Sequence, residues 1–412
     1  MAARYQPEPL VAPTCMSETH ARLEAYLDAI GALLPDKRQR ASFALYSTGL
    51  LNEGERKSME PIAARAGSTP QEVFRAHHRL MHFLSSAAWH DEPIRAYATS
   101  YAVEAMQSQA PIKNWIIDDT GMLKQGEYSP GVQRQYSGSA GKTANCQIAV
   151  SLLLANGYSH VKTDVRLYLP ETWDTDRERC RRAHIPDSIQ YAPKWALALD
   201  MIEHAVKSGV PQGVVLADCD YGNKTVFRDT LSQLGLKYAV EIQSTTKIRR
   251  LGARDEPGER MAVCNIGRRL KKKFRSVTWR QGTNAVLRSR FARIRVLVDR
   301  EDNVEREPEW LVVEWPEDEP SPTKFVLSNL PKSTSCKQIV RTFKERWRVE
   351  RSYQDIKGEL GFDHYEGRTF VGWHHHVTVV LVCYAFLVAE VVRSFPPSAS
   401  RKAGDDSLDN AA

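Results

Sequence analysis

Apolar residues recur at helical spacing through residues 18–110, and this pattern predicts a helical N-terminal domain. Within it, Thr69 followed by Glu72 forms a capping-box pattern, with Pro70 at the first helical position. Gly67, just before this pattern, indicates a short turn between two helices. The pair is either a helix-turn-helix or an ordinary helical hairpin, and the pattern alone fits both.

From residue 111 the pattern changes to short apolar runs, which are typical of strands. The order over 111–242 is strand, strand, strand, helix, strand, helix, strand, which indicates an α/β fold of ribonuclease-H-like order. The predicted strands cover residues 115–119, 147–155, 162–169, 213–218 and 238–242, and the predicted helices cover residues 195–206 and 224–234.

Residues 243–334 alternate apolar and basic positions, which predicts a β-rich insertion, and helical spacing returns over 335–395. Residues 243–300 hold 17 Lys or Arg and 4 Asp or Glu, a local net charge of +13, whereas the whole chain carries +7. A basic region in an otherwise mildly acidic chain indicates a polyanionic partner. Residues 1–17 are predicted to be an N-terminal arm, and the polar tail 396–412 is predicted to be disordered.

The cysteines and the apolar runs bear on cellular location. Seven cysteines are scattered without any Cys-x-x-Cys pair, which favours reduced thiols over disulfides or a zinc site. We find no hydrophobic signal core at the N-terminus, and we expect no apolar run to reach the length of a membrane span. These observations predict a cytosolic protein without a membrane partner.

The stretch from Phe343 to Lys357 carries an unusual set of side chains. Phe343, Arg346, Glu350 and Lys357 fall within roughly 60° of one another if the stretch is one continuous helix. An aromatic ring, a guanidinium, a carboxylate and an ammonium in one stripe suit a helix that grips a polyanion beside a metal. The alternative is a solvated basic helix face.

Carboxylates also follow two predicted strands. Asp118 and Asp119 end one apolar run, and Asp218 and Asp220 end another. Carboxylates on neighbouring strands, with Glu350 on a later helix, would provide oxygen ligands for two divalent ions, and Mg²⁺ suits such a site. Two metals about 4 Å apart activate a nucleophile and stabilise the leaving oxygen of a phosphodiester.

These residues resemble the DDE transposases of the IS4-like insertion sequences, most nearly the IS701 branch. Asp119, Asp218 and Glu350 match the catalytic triad, and residues 343–357 match the signature tyrosine-x2-arginine-x3-glutamate-x6-lysine, with Phe343 in place of tyrosine. Five further segments are also similar to the IS701 branch, namely 116–120, 138–147, 216–222, 279–282 and 360–368. The resemblance covers roughly residues 20–390.

The resemblance selects among the carboxylates. It aligns the aspartate directly before Thr120, which selects Asp119 over Asp118. It aligns an aspartate three residues before Tyr221-Gly, which selects Asp218 over Asp220. From the residues alone, both choices stay open.

The resemblance implies a ribonuclease-H-like core interrupted by an insertion, an N-terminal domain binding transposon ends, and a homodimer acting in trans on double-stranded DNA. It implies Mg²⁺, for which Mn²⁺ substitutes, and hydrolytic nicking followed by strand transfer. The glycine-rich Gly138–Thr143 lacks the P-loop spacing, so we expect no nucleotide cofactor. The alternatives are an inactive or domesticated DNA-binding derivative, or a nuclease of the same fold. The expected DNA contacts are Arg346, Lys357, Phe343, Lys142, Trp279, Arg280, Lys271, Lys272 and Lys273.

Overall fold

The computed structural model describes residues 13–252, 256–282, 285–299 and 306–395. The helices are α1 Pro13–Gly31, α2 Lys37–Leu51, α3 Met59–Ala66, α4 Pro70–Ser85, α5 Asp91–Gln109, α6 Glu171–Asp174, α7 Arg177–Arg182, α8 Lys194–Lys207, α9 Cys219–Gly222, α10 Thr225–Gln233, α11 Val263–Arg269, α12 Cys336–Lys344, α13 Trp347–Gly358 and α14 Phe370–Ser394. The strands are β1 Asn114–Leu123, β2 Gln133–Ser137, β3 Lys142–Ala155, β4 His160–Tyr168, β5 Val214–Ala217, β6 Tyr238–Ile242, β7 Lys247–Leu251, β8 Pro257–Ala262, β9 Arg275–Gln281, β10 Val286–Val298, β11 Glu309–Glu314 and β12 Lys324–Ser328.

The chain divides into two compact units. The first combines the N-terminal helices up to Gln109, the short segment Arg182–Ile185 and the chain from Asp355 onward. The second combines Ala110–Arg181 with Pro186–Gln354. The predicted division kept 335–395 with the core, whereas residues from Asp355 group here with the N-terminal helices. The predicted arm 1–17 lies outside the described residues except for 13–17, which belong to α1, and the predicted disordered tail lies outside them entirely.

Helix α14 is the central helix of the first unit and packs against α5, α2 and α4. It is 25 residues long with a mean hydropathy of 2.0 in its most apolar window, so by length and composition it could cross a membrane. The expectation that no apolar run reaches this length was therefore wrong. Because 72% of that window is buried inside the protein, the helix is apolar on all sides as a core helix is.

A single mixed sheet organises the second unit. Its order within the described chain is β2–β3–β1–β5–β6–β12–β11–β10–β7–β8, with β4 also paired to β3 and β9 to β10. β1 runs antiparallel to β3 and parallel to β5, and β5 runs parallel to β6. Each strand and helix predicted over 111–242 has a counterpart, although the first strand, predicted to end at 119, continues to Leu123. The prediction missed the edge strand β2, the 3₁₀ turn Gly138–Ala140 and the short helices α6, α7 and α9.

The β-rich insertion predicted over 243–334 extends this same sheet. β12 pairs with β6, so the strands from β7 to β12 continue the sheet that begins at β4. Ile242 of β6 belongs to one buried hydrophobic cluster with Ile248, Val296 and Phe325 of the insertion. The basic segment therefore stands on the same sheet as the aspartates of β1 and Asp218, which follows β5.

The helix predicted across 343–357 is interrupted. Helix α12 ends at Lys344, a turn occupies Glu345 and Arg346, and α13 begins at Trp347. The backbone N–H groups of both turn residues donate to the carbonyl three residues earlier, which tightens the chain. Phe343 and Arg346 therefore do not share a helix with Glu350, and the single stripe was wrong. Phe343 packs against Phe291 before the turn, and Arg346 in the turn donates to Asp118.

His160, at the start of β4, has an unusual environment. Both ring nitrogens are buried and have no hydrogen-bond partner within the described residues. Burial, with the nearby cations Arg348, Lys162 and Arg351, lowers the pKa of His160 to about 3. The ring is therefore neutral in the folded protein at physiological pH.

We expect stability to fall as pH drops below about 6.5, because the unfolded chain then binds a proton that folded His160 accepts only near pH 3. At pH 5 this loss is about 1–2 kcal/mol. Urea unfolding at pH 7 and pH 5 measures it, and His160→Gln should remove it. His20→Gln, at an exposed position, should leave it unchanged, and equal pH dependence in both variants would contradict the assignment.

Candidate active site

Asp118 and Asp119 lie inside β1, which runs on to Leu123, so the prediction that they end a strand was wrong. They lie just beyond Ile116, the last residue of β1 that pairs with β5. β1 and β5 are parallel neighbours with Ile116 opposite Leu216, so the residues that follow on both strands emerge at the same edge. In open α/β sheets, ligands bind at the carboxyl ends of parallel strands. Asp218 directly follows β5 and caps α9, where its carboxylate accepts the N–H of Asp220 at 3.0 Å.

Asp119 is held by two donors. Lys194, at the start of α8, donates to its carboxylate at 2.8 Å, and the Tyr221 hydroxyl donates at 3.1 Å. The same Lys194 ammonium lies 3.9 Å from the carboxylate of Asp220. Asp119 raises the pKa of Asp218 by its negative charge, which places the two carboxylates in each other's field.

Asp118 has a different partner. Its carboxylate accepts a hydrogen bond from Arg346 at 3.1 Å. Burial raises the pKa of Asp118 to about 7, with further contributions from Asp218 and Asp119, although the Arg346 guanidinium opposes the shift. Burial also raises the pKa of Asp218, and Asp220 and Asp119 add to that shift against Arg346. Both carboxyl groups therefore hold their protons more tightly than usual, mainly because they are buried.

Arg346 is the cation that the carboxylates share. Besides Asp118, the charges of Glu241, Asp218 and Glu350 act on its guanidinium and raise its pKa, against the lowering effect of burial. Glu350 is exposed on the first turn of α13. Asp218 and Glu350 therefore both lie near Arg346, and Asp119 lies near Asp218.

The carboxylates of Asp119, Asp218 and Glu350 do not form a compact set of metal ligands in the structure. Among the residues that the structure describes, no three His, Cys, Asp or Glu side chains are grouped as metal ligands. The donor set nevertheless fits a hard cation, because all three side chains offer carboxylate oxygens. The pKa values of Asp118 and Asp218 are raised mainly because burial disfavours their charged forms, and neighbouring aspartates add to the shifts.

A buried hydrogen-bonded group behind Asp118, which the sequence analysis missed, links α13 to the sheet. Tyr353 of α13 donates to the backbone carbonyl of Asp118 at 3.2 Å, and its hydroxyl lies 2.6 Å from that of Ser151. Lys162 donates to Ser151 at 2.9 Å, and its ammonium lies 3.6 Å from the centre of the Tyr353 ring. Tyr353 follows Glu350 by three residues, close to one helical turn, which was the available signal.

The predicted DNA contacts occupy diverse environments. Phe343 is only 4% exposed and packs edge-on against Phe291, so stacking on a base would require the ring to leave this core. Trp279 is partly exposed and lies under the Lys344 ammonium at 4.3 Å, and the Arg280 guanidinium lies 4.0 Å from the Trp347 ring. The remaining predicted contacts in the second unit are exposed, namely Lys142, Lys271, Lys272 and Lys273.

Lys357 lies in the last turn of α13, in the part of the chain that groups with the first unit. Burial lowers its pKa, and nearby Asp363 opposes this. Thus Glu350 and Lys357 share one helix, as the signature requires, but belong to different units.

Comparison with known proteins identifies the chain. A family model described as DDE superfamily endonuclease matches residues 30–296, which is more than half of the chain. The protein belongs to this family. The resemblance inferred from the motifs is therefore confirmed, and DDE endonucleases generally use divalent metal ions. The match includes Asp118, Asp119 and Asp218 of this DDE endonuclease and ends before Glu350.

A curated relative provides a second comparison. The DDE endonuclease is 28% identical over 236 residues to the probable transposase for insertion sequence element IS701 of Microchaete diplosiphon. The aligned region covers 57% of each chain. The chain thus spans little more than half of its relative's length.

Proposed function

We propose that the protein is a DNA transposase that cuts at the ends of an insertion sequence and joins them to target DNA. The observation that carries this proposal is the group of carboxylates near Arg346, namely Asp118, Asp218 and Glu350, with Asp119 beside Asp118 and Asp218. Family membership and the IS701 relative support it. The strand order β4–β3–β1–β5–β6 supports a ribonuclease-H-like core.

In this proposal Asp119, Asp218 and Glu350 hold the divalent ions, Mg²⁺ or Mn²⁺. When bound, such ions lower the pKa of the attacking water or hydroxyl and stabilise the leaving oxygen. Asp218 is oriented by its own capping hydrogen bond, and Asp119 is oriented by Lys194 and Tyr221.

We assign a role in binding phosphate to the cations near the carboxylates, Arg346 and Lys194. Arg346 offers a planar set of donors suited to a phosphate, and Asp118 holds it beside the carboxylates at 3.1 Å. Lys194 shares its ammonium between Asp119 and Asp220. We assign both cations to positioning the scissile phosphate, with Lys357 as a further contact. Tyr353 fixes α13 against β1 so that Glu350 keeps its place.

The partners follow from the same chemistry. The protein would act in the bacterial cytoplasm on double-stranded DNA, namely the terminal inverted repeats and the target, as a homodimer acting in trans. Lys142 and the 271–273 lysines are exposed cations on the unit that carries the carboxylates. Trp279 and Arg280 lie in the same unit and serve as further contacts.

A strand-transfer reaction tests the proposal. The full-length protein is incubated with Mg²⁺, a labelled duplex carrying the repeats that flank its reading frame, and a supercoiled target plasmid. Joined product supports the transposase. Nicks without joining would indicate a nuclease of the same fold, and binding without cleavage would indicate an inactive DNA-binding derivative.

The basic segment predicts a salt effect. Changing Lys271, Lys272 and Lys273 together to Gln should weaken duplex binding and reduce the slope of log affinity against log salt by about 1–3, because each phosphate contact contributes about 0.9. Titrations at four salt concentrations without metal measure this slope. Lys207→Gln, an exposed position already paired with Glu203, is the matched control, and an unchanged slope in the triple variant would remove this segment from the DNA path.

A further inference from the structure

We propose that Lys162 is a positioning residue for the reaction, because its buried ammonium directs a series of hydrogen bonds that holds α13 against β1. The series, here called the Lys162 network, runs from Lys162 through Ser151 and Tyr353 to the backbone carbonyl of Asp118. The proposal rests on the proposed function in taking Glu350 of α13 as a metal ligand. All of these residues lie in the second unit.

A β-bulge in β4 places Lys162 on the face of the sheet where Tyr353 packs. The register between β3 and β4 shifts so that Leu153 pairs with Lys162, and Thr163 is an extra residue in β4. Alternate residues of a strand share a face, and directly opposite residues of antiparallel strands point to the same face. Leu153 therefore shares a face with Ser151, and the bulge places Lys162 rather than Thr163 opposite it.

The side chains of the Lys162 network are buried. Ser151 is fully buried, Lys162 is 1% exposed and Tyr353 is 7% exposed. The Lys162 ammonium lies between the Ser151 hydroxyl at 2.9 Å and the face of the Tyr353 ring at 3.6 Å from its centre. A DNA phosphate does not reach such groups in the folded protein. Any effect of Lys162 on the reaction must therefore pass through the groups that it contacts.

Lys162 sets the direction of the hydrogen bonds in the network. An ammonium group has donors only, so Ser151 accepts from Lys162. Tyr353 has one hydroxyl proton, which it donates to the Asp118 carbonyl at 3.2 Å. This donation requires that Ser151, 2.6 Å away, donates to Tyr353 rather than accepts from it. The ammonium favours this order because hydrogen bonds in series polarise and strengthen one another.

The hydrogen bond to the Asp118 carbonyl joins the two elements that carry the proposed ligands. Tyr353 follows Glu350 by three residues, so both lie on neighbouring turns of α13. Asp118 precedes Asp119 on β1. Without the Lys162 ammonium, the Tyr353 hydroxyl could donate to Ser151 instead, and α13 would lose this hold on β1. A misplacement of about 1 Å at a reacting centre can slow a reaction about 100-fold.

The rate of DNA cleavage tests the role of Lys162. Lys162→Met keeps the length of the side chain and removes its donors, and Tyr353→Phe keeps the ring and removes the hydroxyl. We expect each change to lower the cleavage rate at saturating transposon-end DNA by about 10- to 100-fold. The half-saturating DNA concentration should stay within about threefold, because substrate binding is not the step affected.

The double variant distinguishes a network from two independent contacts. Because both changes break the same series of hydrogen bonds, combining Lys162→Met with Tyr353→Phe should cost no more than about twofold beyond the worse single variant. Additive losses would overturn the proposal. So would wild-type rates in both single variants, or a raised half-saturating DNA concentration with an unchanged maximal rate.

Amide hydrogen exchange provides a second measurement on the full-length protein, without DNA or metal. Lys162→Met and Tyr353→Phe should speed the exchange of α13 amides by about tenfold, because the helix loses its hold on β1. Thr163→Val is the matched control, since Thr163 is adjacent to Lys162 and its hydroxyl donates to the Leu152 carbonyl within the same pair of strands. It should change neither exchange nor cleavage by more than about twofold. An equal effect of Thr163→Val would overturn the proposal in favour of general packing of the sheet.

Failure of this proposal and failure of the transposase function would be distinguishable. A wild type that binds DNA but neither nicks nor joins it would reject the transposase, and the exchange rates would still show whether Lys162 holds α13. Wild-type exchange of α13 in Lys162→Met, with an active wild type, would reject the positioning role alone. Urea unfolding checks that each variant is folded. If Lys162→Met does not fold, Ser151→Ala, which separates Lys162 from Tyr353, takes its place in every comparison.

Discussion

Asp218→Asn and Glu350→Gln should each reduce metal-dependent cleavage and joining of transposon-end DNA by at least about 10³-fold, because each removes a charged oxygen ligand at the point where charge develops. Asp218 lies at the end of β5, and Glu350 lies on α13 within the field of Arg346. Both substitutions keep the size of the side chain, so the fold should be unaffected. Product formation in Mg²⁺ and in Mn²⁺, read on a denaturing gel, measures the effect.

The control uses a neighbouring carboxylate. Asp220 is largely exposed and contacts Lys194 only at 3.9 Å, so Asp220→Asn should retain activity within about tenfold. Duplex binding in EDTA should remain at the wild-type level in all three variants. Activity of Glu350→Gln equal to that of the wild type would remove Glu350 from the site and with it the enzyme proposal.

Asp119→Asn should reduce the cleavage rate by about 10³-fold or more, whereas Asp118→Asn should reduce it by only about 10- to 100-fold. The reason is that we assign Asp119 to the metal and Asp118 to the orientation of Arg346, with which it forms a hydrogen bond at 3.1 Å. The two residues are adjacent on β1 and their side chains point to opposite faces of the strand. They therefore form a matched pair in which only the direction of the side chain differs.

The measurement is metal dependence as well as rate. Asp119→Asn should require far more Mn²⁺ for any residual product, whereas Asp118→Asn should show the wild-type metal requirement and weaker substrate binding. The reverse pattern, an inactive Asp118→Asn and an active Asp119→Asn, would assign the metal to Asp118. That outcome would also mean that Arg346 leaves Asp118 when metal binds.

Local patterns predicted the elements well where one periodicity dominates. The buried runs around Ile116 and Leu216 are continuous and apolar, and they became the central strands β1 and β5. The capping box at Thr69 marked the start of α4 at the correct residue. These signals are local, because the hydrogen bonds that close a first helical turn involve residues four or fewer apart.

The rest depends on contacts between distant residues. The turn at Glu345 and Arg346 contains neither proline nor glycine, and it forms where Arg346 reaches Asp118, which is 228 residues away. The pairing of β12 with β6 joins the insertion to the core, and the local pattern of apolar residues cannot show which strands pair. Tyr353 acquires its role only because Ser151 lies opposite Asp118 on the neighbouring strand.

Continuity of the sheet from β1 to β8 has a consequence for where the DNA is cut. The carboxylates of β1 and β5 and the basic segment are attached to one hydrogen-bonded sheet, and hydrogen-bonded strands lie about 4.8 Å apart. A duplex held by the lysines of that segment would meet the carboxylates at a fixed number of base pairs from its point of contact. In the proposed function, the number of strands between the basic segment and the carboxylates would then set the cleavage position.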